Sequence, residues 1–528
     1  MYTLNAQLSG VIPGSDLERR AVAGLLSALR DIVDHVEVLE IPVYTWRWSC
    51  QITSSRGIEP CVLLPYSASL KDTIKPSSVL ALKPGEVDKL DIEGKVVLVD
   101  YPDAAEKLRF LVYEISCRRP AAVLLVTPRN ALLKSDVVLG TPGFTYALSA
   151  PLKVPVVCVD RKVASVIASE GADVEFSSNM SKGSGRLIIA SLNGRGDLEV
   201  HLTSHHDSII GGSEASPASM LYSVVDYLRK RDLPVNVTVI SYTAREVGDF
   251  DFTEYHYTWG ERYLLKLLES KGKLENVEYS MSISPLSPGN TLKVVAHPAL
   301  GKYLEDIGVH VSHNHFFLES HPYMEAGIPA LVVTSDNSYW HRNTTLSRAY
   351  EEGVVARVRE LIALLLEKAR PSEEWVKATR EYILDKTGEA CLELRVNLTR
   401  LMDLVPRTDA LEWVKTTTRL AYSTLYVACT RPLGVYVNSS LVASISSNSM
   451  ASLRSFLSQC EGGIVVGDQR AYVPVNQLRG LEDFYLDNYA KYLARALKPL
   501  IDYEAFKILY RFYVKRCLGD GEKSHWDK

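Results

Sequence analysis

Short apolar runs alternate with helical segments from the N-terminus to about residue 370, and this alternation restricts the fold more than any other pattern. The runs at 95–100, 121–126 and 154–159 have the length and composition of buried strands. Segments with apolar residues at helical spacing lie among them. Strands that alternate with helices are typical of α/β folds. The sequence therefore predicts an α/β protein.

Changes in this pattern divide the chain, which at 528 residues is too long for a single core. A polar stretch rich in glycine and serine at 177–185 predicts a boundary between two α/β units. After about residue 370 the spacing becomes mainly helical, with long candidate helices at 375–404 and 483–497. The predicted division is a first part of the larger unit (1–60), a small inserted unit (61–185), the core of the larger unit (186–370) and a helical segment (371–528).

Composition excludes several classes of protein. The net charge of −4 provides no basic surface, so we expect no nucleic-acid partner. The chain has no apolar run of about 20 residues and no signal-peptide pattern, so we expect a cytoplasmic protein without a membrane contact. The eight cysteines are scattered without a CxxC pair, which predicts reduced, buried thiols. A low glutamine content points weakly to a hot environment, where intracellular disulfides also occur.

Histidines are concentrated in one block, because ten of the twelve lie between residues 201 and 341. Histidine is the commonest protein ligand of metals. Functional residues in α/β sheets gather at the carboxyl ends of strands, and four candidates stand near such ends. These candidate metal ligands are His205, Glu214, Glu246 and His341. Together they suit a divalent ion such as zinc, with Asp207 orienting the ring of His205.

A set of motifs in fixed order resembles a known family, the co-catalytic zinc aminopeptidases, and most closely the branch of glutamate carboxypeptidase II and the transferrin receptor. The motifs are His205-His206-Asp207-Ser208, Gly211-Gly212-Ser213-Glu214, Ala244-Arg245-Glu246-Val247-Gly248, Ala326-Gly327-Ile328-Pro329-Ala330 and Tyr339-Trp340-His341. The resemblance implies a zinc-exopeptidase-like mixed sheet flanked by helices. It also implies a protease-associated-like domain at 61–185 and a helical domain after residue 370 that supports a homodimer.

Four positions match ligands of that family. The resemblance implies that His205 is the first histidine ligand, with Asp207 behind it, and that His341 is the last. Glu246 matches the glutamate ligand of the family's Glu-Glu pair. Glu214 stands where an aspartate bridges the two metals, and its longer side chain requires a different loop conformation.

Two positions depart from the family. In the family, the first glutamate of the pair is the general base. In this chain Arg245 occupies that position. Another aspartate ligand is expected within 279–284, where Ser282 and Ser284 stand nearest. Arginine has no acceptor for a proton and stays charged, and its charge opposes a second divalent ion. The sequence therefore predicts zero or one zinc ion rather than two, and a broken peptidase mechanism.

Further polar residues precede or follow the motif at 326–330, where the family builds part of its substrate pocket. The candidates for substrate binding are His321, Tyr323 and Tyr339. Three neighbouring histidines have alternative roles that the sequence leaves open. The alternatives are a relocated metal site, a substitute base, and packing against other side chains. They are His310, His313 and His315.

Two classes of function follow from these residues. In the first, the chain is a peptidase fold with impaired or absent activity that binds a peptide or a protein. In the second, it is an active metal-dependent aminopeptidase or related hydrolase with a rearranged, single-metal site. The missing base and the missing carboxylate favour the first. Metal content and hydrolysis of aminoacyl-arylamide substrates distinguish the two.

Overall fold

A computed structural model of the chain describes most residues before 423 and short segments after it. The described residues are 10–83, 86, 90–102, 108, 111–112, 115–116, 118–127, 152–209, 216–246, 248, 258–286, 292–305, 308–313, 315, 318–335, 352–390, 399, 402–403, 409–422, 424–431, 435–440, 461–466 and 471–474.

Within these ranges, the strands in chain order are β1 (His35–Ser54), β2 (Gly57–Glu59), β3 (Cys61–Leu63), β4 (Leu70–Ile74), β5 (Val79–Leu82), β6 (Val96–Asp100), β7 (Ala122–Val126), β8 (Val156–Val159), β9 (Ala172–Leu192), β10 (Glu199–His205), β11 (Asn236–Tyr242), β12 (Val277–Ile283), β13 (Lys293–Ala296), β14 (Val311–Ser312), β15 (Ala330–Thr334), β16 (Thr424–Arg431), β17 (Val435–Ser440), β18 (Glu461–Val466) and β19 (Ala471–Pro474). The helices are α1 (Asp16–Arg30), α2 (Arg161–Glu170), α3 (Ser216–Leu228), α4 (Trp259–Ser270), α5 (Pro298–Glu305), α6 (His321–Glu325), α7 (Glu352–Lys368), α8 (Glu373–Ala390) and α9 (Ala410–Tyr422). Two single 3₁₀ turns lie at Pro76–Ser78 and Leu274–Asn276.

Ten of these strands form one mixed sheet in the order β14-β13-β15-β12-β10-β11-β9-β1-β2, with β4 paired to β9 outside this path. The central neighbours β11, β10, β12 and β15 are parallel. Parallel neighbours need long crossover connections, and helices supply them here. Every side chain of β12 is buried, as in sheets that are covered on both faces. The predicted α/β fold with a mixed central sheet is confirmed.

Helices cover both faces of this sheet. Leu187 and Ile188 are adjacent in β9 and therefore point to opposite faces. Ile188 packs in a core with apolar side chains of α1, α3 and α7. Leu187 packs instead with Trp259 and Leu264 of α4. Among the residues covered by the structure, no helix combines the length and apolar character needed to cross a bilayer.

A second sheet of five strands, in the order β3-β8-β7-β6-β5, is formed by residues 61–159. Its strands are parallel except for β3, which is antiparallel to β8. The strands predicted at 95–100, 121–126 and 154–159 are confirmed as β6, β7 and β8. This sheet lies inside the predicted insert 61–185, whose limits as a domain stay a prediction.

The long strands β1 and β9 form an antiparallel ribbon that runs from the pair His35–Ser191 to the pair Thr53–Asp173. The stretch 177–185, which the sequence predicts as a boundary, lies in the middle of β9. Strand pairing uses the backbone, so polar side chains on a solvated ribbon do not interrupt it. Close packing explains why residue 185 is a glycine. A Cβ at Gly185 would lie 2.8 Å from Thr243 Cγ2 and 2.9 Å from Val43 Cγ1.

The segment after residue 371 combines helices and strands. Helices α8 and α9 agree with the predicted helical character, but β16 to β19 form a four-stranded antiparallel sheet in the order β17-β16-β18-β19. The prediction of a helical domain is therefore wrong for these strands. Runs such as 425–427, 435–437 and 464–466 are rich in the β-branched and aromatic residues that favour strands. The helix predicted at 483–497 lies outside the described residues.

Among the described residues, one pair of cysteines is oxidised. Cys50 of β1 and Cys61 of β3 form a disulfide with their Cα atoms 5.9 Å apart. The prediction of reduced thiols is therefore wrong for this pair, which the hairpin after β1 brings together without a CxxC motif. Cys158 is buried in β8.

Candidate functional site

The candidate site lies at the carboxyl ends of the parallel strands β10, β11 and β12. His205 ends β10 and is paired with Tyr242, which ends β11. Arg245 and Glu246 follow β11, and Ser284 follows β12 directly. Loops at this end of an open α/β sheet converge, so residues that are distant in the sequence meet here.

His205 and Asp207 form a buried pair in which each side chain is 2% exposed. His205 Nδ1 lies 2.9 Å from the backbone carbonyl oxygen of Asp207 and 3.7 Å from its Oδ1. A carbonyl oxygen can only accept, so Nδ1 carries the proton and Nε2 keeps a lone pair. Burial lowers the pKa of His205, which favours this neutral ring. Nε2 is buried and has no hydrogen-bond partner within the described part of the chain.

Asp207 also fixes the loop that carries Arg245 and Glu246. Its Oδ2 accepts hydrogen bonds from the backbone N–H groups of Arg245 at 2.9 Å and of Glu246 at 3.5 Å. The preceding Ala244 has a φ of +59°, a conformation that costs a non-glycine residue about 1–3 kcal/mol. The carbonyl of Ala244 accepts from the backbone N–H of Trp259 at 3.0 Å. The loop is therefore held from two sides in a strained conformation.

The guanidinium of Arg245 binds two carboxylates. Its Nη1 lies 2.5 Å from Glu246 Oε1, and its Nε lies 3.0 Å from Glu319 Oε1. The three side chains, Arg245, Glu246 and Glu319, are 11%, 13% and 1% exposed, so water screens these pairs little. Hydrogen bonds to charged groups contribute about 1.5–3 kcal/mol each. Arg245 therefore engages Glu246, which the resemblance implies is a metal ligand.

Glu319 is a site residue that the sequence analysis missed. It lies in the turn before α6, and Ser284 Oγ donates a hydrogen bond to its Oε1 at 3.1 Å. Burial opposes its ionisation, but the charge of Arg245 and the hydrogen bond from its guanidinium outweigh burial and hold the pKa of Glu319 below its usual value. Its sequence signal is only a lone carboxylate after an apolar run, and no spacing rule links it to an arginine 74 residues earlier.

Two other acids near the site are buried. Burial raises the pKa of Glu261, in the first turn of α4, well above its usual value. Burial, followed by the charge of Glu246, does the same to the pKa of Asp207. Burial therefore disfavours the charged form of both groups.

Two residues predicted to bind substrate, His321 and Tyr323, lie instead in buried networks. The hydroxyl of Tyr323 is 2.6 Å from the hydroxyl of Tyr242 and 2.9 Å from Nδ1 of His201. Nε2 of His321 is 3.5 Å from Oε1 of Glu325, and burial lowers the pKa of His321 to about 4. Both side chains are 1% exposed or less, and their role in substrate binding stays a prediction.

The neighbouring histidines that the sequence left open make different contacts in the structure. His313 Nδ1 donates to the carbonyl of Ala296 at 2.7 Å, whereas His315 Nδ1 lies 2.8 Å from Ser320 Oγ. Burial lowers the pKa of His315 to about 3. His310 lies on the surface before β14. These positions favour packing over a relocated metal site.

The described residues do not fit a metal ion at this place. Among the residues that the structure covers, no group of three or more His, Cys, Asp or Glu side chains is arranged to hold one. The carboxylates of Glu246 and Glu319 are already bound to a guanidinium, which leaves His205 Nε2 with a lone pair. The remaining predicted site residues that lie outside the described ranges are Glu214, Tyr339 and His341.

Solved structures share this fold. The zinc aminopeptidase BSAP from Bacillus subtilis matches with a TM-score of 0.55 and 15% identity, covering 70% of this chain and 95% of that chain. The peptidase M28 precursor from Shewanella amazonensis SB2B matches with a TM-score of 0.55 and 14% identity, covering 69% and 90%. The fold is that of the zinc aminopeptidases. No family model and no curated protein sequence matches the chain. The narrower resemblance to the glutamate carboxypeptidase II branch stays a prediction.

Proposed function

We propose that this chain uses a zinc-aminopeptidase fold to bind a peptide or a protein, and that its peptidase activity is impaired or absent. One observation carries this proposal. The guanidinium of Arg245, at the position of the general base, binds the carboxylate of Glu246 at 2.5 Å. Arginine at this position leaves the site without its general base. Its contact with Glu246 occupies a candidate metal ligand.

The chemistry of hydrolysis explains why this contact matters. Metal-assisted hydrolysis needs a group that accepts a proton from the attacking water. Arginine has five donors and no acceptor, and it remains charged at every working pH. A metal ion at Glu246 would displace a charge-assisted hydrogen bond that contributes about 1.5–3 kcal/mol. Both effects oppose the usual peptidase mechanism.

The remaining polar atoms suit recognition of a ligand. His205 Nε2 and Glu319 Oε2 are buried acceptors without a hydrogen-bond partner among the described residues. Such atoms cost free energy until a donor reaches them. The N–H groups of a peptide or a protein terminus are donors of this kind. These atoms support a binding role at the sheet edge.

The proposal extends to the wider architecture of the family branch that the sequence resembles. We propose that the unit at 61–185 is protease-associated-like, that the chain forms a homodimer and that it holds zero or one zinc ion. The separate sheet formed by residues 61–159 supports the first statement. Light scattering tests the second, because a dimer has twice the mass of the monomer.

Metal analysis combined with an aminopeptidase assay tests the proposed function. The purified full chain is incubated with zinc, dialysed, and assayed with aminoacyl-arylamide substrates and by titration with labelled peptides. We expect no turnover and measurable peptide binding that Arg245→Ala alters. Stoichiometric zinc with turnover that His341→Ala abolishes would contradict the proposal and support the active single-metal alternative.

A further inference from the structure

We infer that Tyr66, which belongs to the inserted unit, is a positioning residue for the candidate site. Its hydroxyl holds the backbone of Tyr44 in β1, and Tyr44 holds the loop that presents Arg245 and Glu246. This role rests on the proposed function in one respect, that the loop after β11 belongs to a ligand-binding site. The insert thereby influences the site without touching a ligand.

Tyr44 contacts the insert and the site loop through its backbone. It lies in β1 opposite Lys182 of β9. Its N–H donates to the carbonyl of Gly248 at 2.7 Å, and its own carbonyl accepts from the hydroxyl of Tyr66 at 3.3 Å. The N–H and C=O of one residue in an antiparallel ladder point to the same edge, so both groups of Tyr44 point away from β9. One residue of the ribbon therefore joins a side chain of the insert to the loop after β11.

The far end of this loop is packed tightly against the same edge of β1. A Cβ at Gly248 would lie 2.0 Å from Cβ of Trp259, so the loop backbone passes directly over this side chain. Nε1 of Trp259 in turn donates to the carbonyl of Pro42 at 2.7 Å. Strand β1 therefore holds the loop at two places, directly through Tyr44 and by way of Trp259 through Pro42. A shift of β1 at residue 44 moves the loop with it.

Backbone strain is concentrated around the same loop. Among the residues that the structure describes, the non-glycine residues with a positive φ are Tyr66 at +61°, Arg119 at +53°, Ala244 at +59° and Thr258 at +48°. Ala244 directly precedes Arg245, and the backbone N–H of Thr258 donates to the carbonyl of Arg245 at 2.7 Å. A positive φ is rare for a bulky residue such as tyrosine, and strained residues persist where surrounding contacts fix them, often at functional sites. The conformation of Tyr66 therefore supports a functional role.

The hydroxyl of Tyr66 is a fixed donor. The side chain is 4% exposed, and its ring stacks on that of Trp46 in β1 with the centroids 5.4 Å apart. Burial, followed by the charge of Asp207, raises the pKa of Tyr66, so the hydroxyl keeps its proton. The influence of Asp207 also places Tyr66 near the carboxyl group that binds the backbone N–H groups of Arg245 and Glu246.

Hydrogen exchange tests this role, because the backbone N–H groups of Tyr44 and Arg245 are both donors in the network. The full chain is compared as wild type, Tyr66→Phe and Tyr279→Phe by exchange mass spectrometry under native conditions, with urea unfolding as the measure of global stability. Tyr66→Phe removes only the hydroxyl. Tyr279→Phe is the matched control, since its buried hydroxyl also donates to a backbone carbonyl, that of Leu365 in α7 at 3.0 Å.

We expect Tyr66→Phe to accelerate exchange at Tyr44 and at Arg245 by about 3–10-fold, the effect of losing one hydrogen bond. Tyr279→Phe should leave both rates unchanged although it lowers the urea midpoint, because loop amides exchange through local opening rather than global unfolding. Unchanged rates in Tyr66→Phe, or equal acceleration in Tyr279→Phe, would overturn the inference. Faster exchange at Tyr44 alone would overturn the connection to the site loop.

Titration with a pool of short peptides labelled with fluorescein separates this role from the proposed function. If the wild type binds the peptides, Tyr66→Phe should lose affinity, because the loop must be ordered for binding. Unchanged affinity together with faster exchange would overturn the positioning role and leave the proposed function intact. A wild type that binds no peptide, while Tyr66→Phe still accelerates exchange, contradicts the proposed function and leaves the contact network in place.

Discussion

The ion pair of Glu319 with Arg245 predicts a measurable, pH-dependent contribution to stability. In Glu319→Gln the amide oxygen can still accept from Ser284, so the change removes the negative charge and little else. A hydrogen bond to a charged group contributes about 1.5–3 kcal/mol, and breaking a buried pair completely costs about 3–5 kcal/mol. Because Arg245 keeps its contact with Glu246, we expect a loss of about 2–3 kcal/mol at neutral pH.

The sign of the pH dependence follows from the pKa of Glu319, which is lower in the folded chain than its usual value of 4.5. The ionised group therefore stabilises the fold above pH 4.5, and this contribution disappears as the pH falls through the folded pKa. Urea unfolding of wild type and Glu319→Gln from about pH 7 to about pH 3 measures it. The difference between the two proteins should be constant near neutrality and should shrink in acid.

A surface ion pair provides the control for this experiment. Glu269 accepts a hydrogen bond from Arg419 at 2.8 Å, and the two side chains are 43% and 32% exposed. Such pairs contribute about 0–1 kcal/mol, so Glu269→Gln should have little effect. If Glu319→Gln costs no more than Glu269→Gln, or if its cost persists unchanged in acid, the reasoning about the buried site is wrong.

Three further predictions concern the fold around the site. Gly185→Ala should lower the free energy of unfolding by about 1–3 kcal/mol because the added Cβ has no room. Gly183→Ala is the control and should be nearly neutral, because the nearest atom to its added Cβ lies at 3.5 Å. Equal urea midpoints for the two variants would contradict this prediction. Tyr323→Phe should lower the free energy of unfolding by about 1–3 kcal/mol, because it leaves His201 Nδ1 and the hydroxyl of Tyr242 without their buried partner. An unchanged urea midpoint would refute this prediction. Burial raises the pKa of Glu278 from 4.5 to about 7. The wild type should therefore lose stability relative to Glu278→Gln as the pH rises from about 4.5 to about 7. A difference in unfolding free energy that stays constant over this range would contradict the prediction.

The sequence predicted the central sheet well because its strands leave a clear local pattern. Strands β10, β11 and β12 carry apolar residues at alternate positions, and the polar residues directly after them mark the sheet edge. Arg245 was recognised as the deciding residue because its position within a motif is a local property. Local patterns of this kind survive in a single sequence.

Contacts made in three dimensions left no such pattern. Glu319 reaches Arg245 only because the turn before α6 folds over the end of β12, and no periodicity encodes that meeting. Glycine and serine at 177–185 resemble a linker because backbone pairing along a solvated ribbon does not require apolar side chains. Cys50 and Cys61 likewise meet through the geometry of a hairpin rather than through a motif.

The ribbon of β1 and β9 also determines which parts of the chain can be separated. One core contains Trp46 and Ile52 of β1, Phe176 of β9 and apolar side chains of the second sheet. The same core includes Ile209, two residues after Asp207. Excision of 61–185 would remove half of the ribbon and expose this core beside the site. Although the insert is continuous in sequence, it cannot be cut out as an independent module, and both sheets should unfold as one cooperative unit.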